Sequence, residues 1–347
     1  MPAPLNSRVQ VTAGDARQGR VLLTVVTPAY NEEANLPVLH QRLAAALAAP
    51  DLDWEWIVID DHSSDGTFEV LSDLGRRDPR VRAMRFSRNF GSHAGVTCGL
   101  RNARGDCAVV LAADLQDPPE VIPQLLNEWR VGAQVVWAVR GQREGEAATT
   151  IRLAGLFYWI MRNVLGMREL AATGADFFLI DRCVIDAYQG FDERNVNLFA
   201  LLAWMGFRQR KVSYVKQARL HGASGWTLKK KLKLAVDSVT AFSYLPVRAM
   251  SWTGVVTAIA GFGYALFIIF NAVKGQPVEG WSSLMVAVMV IGGFQMLMLG
   301  VLGEYVWRAL DEARRRPRYT IEAATETHRA PDAFNTPLTA PSLRHSR

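Results

Sequence analysis

Cysteine is scarce in this chain of 347 residues, which has only Cys98, Cys107 and Cys183. An odd count without a CxxC pair supports neither a disulfide framework nor a zinc pattern, and the thiols read as buried groups of a reducing compartment. The glycine-rich loops GxxxxGK[ST] and GxGxxG are also missing, which disfavours nucleoside triphosphatases and dinucleotide enzymes. Residues 1–20 are polar and contain no apolar segment of the signal-peptide kind. No internal repeat is found. The six histidines, His40, His62, His93, His221, His328 and His345, do not fall at zinc-ligand spacing. Half the residues are hydrophobic and Lys+Arg 39 nearly balances Asp+Glu 33, a composition that excludes a disordered polymer or a collagen-like repeat. The length leads to an expectation of roughly two folded units.

Charge is absent altogether from two stretches. Residues 249–273 and 280–303 contain no Asp, Glu, Lys or Arg. Each exceeds the roughly 20 residues that a helix needs to cross a bilayer core. Only six residues, 274–279, join them, so a helical hairpin is expected. Lys229, Lys230, Lys231, Lys233 and Arg248 precede the first span, and Arg308, Arg314, Arg315, Arg316 and Arg318 follow the second, against Lys274 alone in the loop. That asymmetry puts both flanks, both termini and the large N-terminal part on the cytoplasmic side of the membrane. Trp252, Trp281, Tyr305 and Trp307 stand near the span ends, where interfacial aromatics belong. Because the basic residues cluster beside the spans, nucleic acid is not an expected partner.

Upstream, apolar runs at 21–27, 55–59, 81–86, 108–112 and 134–139 alternate with helical patterns at 33–48, 66–76, 92–104, 120–131 and 146–165. Strands apolar on both faces and separated by helices imply an α/β fold with a mostly parallel sheet, whose ligands bind at the carboxyl ends of the strands. Polar turns fall at those ends: Pro28-Ala29-Tyr30-Asn31-Glu32-Glu33 after the first run, Asp60-Asp61-His62-Ser63-Ser64-Asp65 after the second, and Asp114-Leu115-Gln116-Asp117 after the fourth. Asp65 is suited to capping the helix that follows, and Asp117 fits either a helix start or a ligand contact. Residues 226–244 mix lysines with Leu, Val and Phe at helical spacing, the pattern of an amphipathic helix lying on an anionic lipid surface. The expected organisation is a loose N-terminus over 1–19, a catalytic-type domain over 20–225, a juxtamembrane helix over 226–248, the hairpin over 249–308 and a tail over 309–347. That tail is expected to be loose from about Ala323.

With those turns, SRNFG at 87–91, ADLQDPPE at 113–120, GADFFLIDR at 174–182 and LGEYVWRALDEARRRPRY at 302–319, the sequence resembles the inverting family 2 glycosyltransferases. More narrowly it is similar to the polyprenyl-phosphate glycosyltransferases with a membrane hairpin, over about residues 22–319. The resemblance implies a GT-A fold and a sugar moved from a UDP- or GDP-linked donor to a polyprenyl phosphate, undecaprenyl phosphate in bacteria. It implies that Pro28, Ala29, Tyr30, Glu32, Asp60, Asp61 and Asp114 hold the nucleotide-sugar, and that Mg²⁺ or Mn²⁺ rests on Asp114 and Gln116. Ala112 stands where the family's first metal-site carboxylate is customary.

The phosphates and acceptor would be held by Arg140 and Arg152, with Arg143 as a third candidate, and by Arg219, Ser224 and Trp226. Gly225 stands where the family often has lysine. Asp176 would sit by the acceptor, first for positioning and second for proton removal. The spans offer a route to homo-oligomers. A processive polysaccharide synthase would show QxxRW and further spans, which are not here, and a degenerate membrane scaffold has only Ala112 in its favour.

Overall fold

The computed structural model describes residues 19–141, 176–191, 198–217, 245–274 and 280–325. These fall into two compact units, one of residues 19–123, 217 and 319–325, the other of 124–141, 176–191, 198–216, 245–274 and 280–318.

The first unit alternates strand and helix as the hydrophobic pattern requires: β1 Val21–Ala29, α1 Leu36–Ala46, β2 Leu52–Asp60, α2 Thr67–Arg77, β3 Val81–Phe86, α3 Ser92–Arg101 and β4 Cys107–Val110. β1 pairs in parallel with β2 on one side and β4 on the other, and β2 pairs in parallel with β3. Leu23, Val25, Trp56, Ile57 and Val109 are fully buried, so both faces of these strands are covered, as a parallel sheet demands. Helix α3 packs on β1 through Gly99, where a Cβ would lie 2.2 Å from Val26 Cγ1.

A buried network closes the amino ends of these strands. Glu55 accepts from Thr24 Oγ1 at 2.7 Å, from the Arg104 amide at 2.8 Å and from Arg82 at 3.0 Å. The carboxyl ends carry the polar turns.

One strand of this unit comes from the far end of the chain. β8, Ile321–Ala324, pairs antiparallel with the edge strand β3, and the Thr325 amide continues the ladder to the Ala83 carbonyl at 3.0 Å. Ahead of it Tyr319 stacks on Phe86, with ring centroids 5.1 Å apart, beside buried Cys98 and Met84. The tail therefore contains an ordered edge strand where a loose segment is expected to begin. Its apolar content is too small to announce a strand, which exists because β3 would otherwise leave an open edge.

In the second unit α4, Ile122–Arg130, leads into β5, Val135–Arg140, which pairs antiparallel with β6, Phe178–Asp181, and parallel with β7, Gln209–Tyr214. Asp181 caps α5, Arg182–Gln189, by accepting the Cys183 amide at 2.9 Å, and its other oxygen takes the Trp129 indole N–H at 2.7 Å. A short helix α6, Leu198–Trp204, follows.

Two long helices complete the unit, α7 Leu245–Val273 and α8 Trp281–Ala313. Met250–Asn271 and Val290–Ala313 within them are long and apolar enough to cross a membrane, with mean hydropathies of 2.0 and 1.4 and none of either stretch buried. Ile259, Phe262, Leu266, Phe294, Met296 and Leu299 are all more than 40% exposed, an apolar surface far beyond what water tolerates on a monomer. The expected helix at 146–165, the juxtamembrane segment at 226–244 and the loose ends at 1–18 and 326–347 lie outside the described residues.

Candidate active site

The turn after β1 and the turn after β2 are built against each other. Asn31, with φ of 58°, donates its amide to Ser63 Oγ at 2.9 Å, and its side-chain oxygen accepts the Ser64 amide at 2.9 Å. The Glu32 amide donates to Thr67 Oγ1 at 2.9 Å, while the Glu32 carboxylate accepts from Asn35 Nδ2 at 2.6 Å. Glu33 accepts the Gly66 amide at 2.7 Å. Asp65 takes the Thr67 amide and hydroxyl, at 3.1 and 2.6 Å, but the N-cap position is Gly66, so Asp65 closes an Asx turn ahead of α2 instead of serving as its cap. Pro28 and Ala29 end β1, with Ala29 buried, and Tyr30 stands half exposed beyond them.

The two adjacent carboxylates at the end of β2 differ in what they hold. Asp61 is 4% exposed and accepts two amides of the Ser87–Gly91 loop, Phe90 N–H at 2.6 Å and Gly91 N–H at 2.8 Å. Burial pushes the Asp61 carboxyl above its ordinary range, against the pull of those two N–H groups, and neighbouring Asp60 pushes the same way.

Asp60 is fully buried; its Oδ1 accepts the Ser63 amide at 2.9 Å. Among the described residues no donor lies within hydrogen-bond distance of its Oδ2, and the nearest cation, Arg85 Nε, is 3.6 Å away. A buried acceptor without a donor is uncommon, and here the Arg85 guanidinium is the partner nearest to it.

Strand β4 ends next to β1, and the chain then turns through Leu115, with φ of 59°. Asp114 Oδ1 accepts the Gln116 amide at 3.2 Å, and both residues are partly exposed, whereas Asp117 is buried. This turn is braced from outside. Arg42 on α1 grips Glu120 with two hydrogen bonds, at 2.9 and 2.7 Å, and reaches Gln217 Oε1 at 3.2 Å; the Gln217 amide donates to the Gln116 carbonyl at 2.8 Å. That brace has no signature in the sequence, because its members are far apart along the chain.

The first unit thus gathers Pro28, Ala29, Tyr30, Glu32, Asp60, Asp61, Asp114 and Gln116 at the carboxyl ends of β1, β2 and β4. Arg140 closes β5 and Asp176 lies just ahead of β6, both in the second unit. Arg143, Arg152, Arg219, Ser224 and Trp226 lie outside the described residues.

Asp114 and the Gln116 amide are hard oxygen donors suited to Mg²⁺ or Mn²⁺. Ala112 supplies no second carboxylate, and among the described residues no three His, Cys, Asp or Glu converge. The set fits a divalent cation only as part of a shell that phosphate oxygens would complete.

Comparison with known proteins gives the same direction as the geometry. The family model described as "Glycosyl transferase family 2" matches residues 24–187. The chain is similar to "Uncharacterized glycosyltransferase YkcC" of Bacillus subtilis (strain 168), 37% identical over 300 residues that cover 86% of this chain and 93% of the relative. It is also similar to "Bactoprenol glucosyl transferase" of Shigella phage SfV, 34% identical with 86% and 98% covered. A third relative is "Prophage bactoprenol glucosyl transferase homolog" of Escherichia coli (strain K12), 33% identical with 86% and 98% covered.

Proposed function

The chain belongs to glycosyl transferase family 2, and from that premise we propose that it moves a sugar from a UDP- or GDP-linked donor to a polyprenyl phosphate at the inner face of the cytoplasmic membrane. The observation that carries this reading is the extent of the match: bactoprenol glucosyl transferases align with this chain over nearly their whole length, well past the family domain and into the apolar helices. An isoprenoid acceptor stays in the bilayer, so its transferase has to work at the membrane surface. Helices α7 and α8 would hold it there, with the basic flanks facing the cytoplasm.

The chemistry needs little proton management. A phosphate monoester has a second pKa of about 6 and is largely ionised at neutral pH. Its oxygen attacks the anomeric carbon, the bond from that carbon to the nucleoside diphosphate breaks, and inversion leaves a β-linked lipid monophosphosugar with free UDP or GDP. Asp60 would support the nucleoside pocket from the end of β2, and Tyr30 would lie along the nucleoside. Asp61 would shape the pocket through the loop it holds. A divalent cation, when bound by Asp114 and Gln116 with the donor's phosphates, supplies neutralising charge to the leaving diphosphate. Arg140, Arg152 and Arg219 would add guanidinium donors to the phosphates, and Asp176 would orient the acceptor.

The test uses the full chain in detergent with undecaprenyl phosphate and a panel of radiolabelled UDP- and GDP-sugars, with Mg²⁺, Mn²⁺ or chelator. Labelled lipid should form with one panel member, require the metal, and fall by about a hundredfold in Asp114→Ala, the scale of removing one preorganised electrostatic contact. Absence of both product and nucleotide-sugar binding across the panel would overturn the reading.

A further inference from the structure

The pairing of β8 with β3 contains an irregularity that bears on the acidic turn. Ala323 pairs with Arg85 and Ile321 with Phe86, so the register passes over Glu322, which has no partner on β3. An extra residue of this kind re-aims its side chain, and such bulges are common beside active sites. The Glu322 carboxylate lies 3.5 Å from His62 Nδ1 and 3.6 Å from Arg85 Nε. Both targets belong to the surroundings of Asp60: His62 follows it in the β2–α2 turn, and Arg85 is its nearest cation.

We propose that Glu322 is a positioning residue of the donor site, acting through His62 and Arg85. The inference rests on the transferase reading above. His62 sits at φ of 61°, and its Nδ1 is 3.0 Å from the Phe86 carbonyl. A carbonyl only accepts, so Nδ1 carries the hydrogen, and Glu322 lies against that same N–H. The ring is thereby fixed in one tautomer and one orientation, which leaves Nε2 as its remaining polar atom for a ligand.

Arg85 is held between two carboxylates, its Nε 3.6 Å from Asp60 Oδ2 and 3.6 Å from Glu322 Oε2, while its terminal nitrogen donates to the Ser63 carbonyl at 3.1 Å. Its Nε hydrogen-bonds to neither carboxylate. Glu322 shares the charge that would otherwise close a forked pair on Asp60. Among the described residues Asp60 Oδ2, which is enclosed by the fold, is left without a donor, and Arg85 stays placed between the two carboxylates beside the β2–α2 turn.

The test compares wild type with Glu322→Gln and Glu322→Asp in the full chain, using the member of the UDP- and GDP-sugar panel that wild type binds most tightly. Glu322→Gln keeps the side chain's shape and removes its charge. It should raise the donor KM and Kd about fivefold, the scale of a partly exposed charge pair, with kcat within about twofold. The melting temperature should be unchanged, and Glu322→Asp should recover most of the loss. Wild-type affinity in Glu322→Gln, or a fall in kcat that tracks a lower melting temperature, would remove the positioning role and leave the transferase reading standing. Failure of wild type to bind any panel member would remove both.

Discussion

The Gly91 amide lies 2.8 Å from a carboxylate oxygen of Asp61, and with the Phe90 amide on the other oxygen it makes one buried side chain the anchor of a whole loop. Gly91 has φ of 92°, a conformation that favours glycine, so the approach depends on residue type at both ends.

Replacement Asp61→Asn would present an NH₂ group to one of those two amides. One buried N–H then loses its acceptor, at a cost of about 1–3 kcal/mol. Faster hydrogen exchange at residues 90 and 91 and a lower denaturation midpoint at neutral pH are expected. The pH dependence has a definite sign. Burial raises the folded-state carboxyl above its unfolded value, so across that window the folded chain keeps a proton that the unfolded chain has lost. Stability therefore declines as pH rises from the ordinary carboxylate range to the raised value, then levels. Asp61→Asn should lack this component of the profile, and an unchanged profile would count against the assignment.

Gly99→Ala tests the packing of α3 on β1. The added methyl would meet Val26 Cγ1 at 2.2 Å and Val26 Cβ at 3.2 Å, in a fully buried contact. Overpacking of this kind costs about 1–3 kcal/mol. Combining it with Val26→Ala, which removes the offending methyl, should destabilise by less than the sum of the two single changes. Simple additivity in urea denaturation would mean that the helix shifts outward instead.

A second electrostatic prediction concerns the opposite ends of the strands, away from the site. Asp78 accepts from Arg80 through both oxygens, at 2.8 and 2.7 Å, and from His40 at 2.8 Å, and His40 stacks on Trp56. The Arg80 guanidinium, with His40 adding to it, holds the Asp78 carboxyl well below the usual carboxylate range. A depressed carboxyl stabilises above its unfolded pKa, and the contribution is lost as pH falls through the folded value. Asp78→Asn should cost about 2 kcal/mol at neutral pH. The gap from wild type should narrow steadily in acid, measured by denaturant titration between neutrality and strong acid. Sugar transfer should be unaffected near neutrality.

Much of the first unit was legible in the sequence because its strands are apolar on both faces and its helices amphipathic. The expected runs at 21–27, 55–59 and 81–86 fall inside β1, β2 and β3, with ends extended by pairing that no local pattern encodes. The polar turns were legible for a similar reason: Asp, Asn and Ser at the ends of apolar runs have few other uses. Their division of labour was not. Adjacent Asp60 and Asp61 have the same chemistry in the sequence, and only the fold shows one holding two loop amides while the other keeps an oxygen without a donor among the described residues. β8 was invisible because a four-residue strand owes its existence to the edge it covers. Glu322 was invisible with it.

The brace on the β4 turn supplies the last prediction. Arg42 and Glu120 are joined by two parallel hydrogen bonds, and Arg42 also reaches Gln217, whose amide holds the Gln116 carbonyl. The Glu120 side chain is 54% exposed, so the pair adds little to global stability, about 0.2–1 kcal/mol. Its effect is local, since the same short turn carries Asp114 and Gln116. Arg42→Lys keeps the charge but cannot reproduce the planar fork. It should raise the donor and metal requirements for lipid labelling severalfold with little change in melting temperature, and Arg42→Ala should do so more strongly. The charge-reversed pair Arg42→Glu with Glu120→Arg separates the contact from its surroundings. Partial recovery relative to either single reversal is expected if the ion pair itself holds the turn. No recovery, with both singles already at wild-type activity, would show that the β4 turn keeps its shape without the brace.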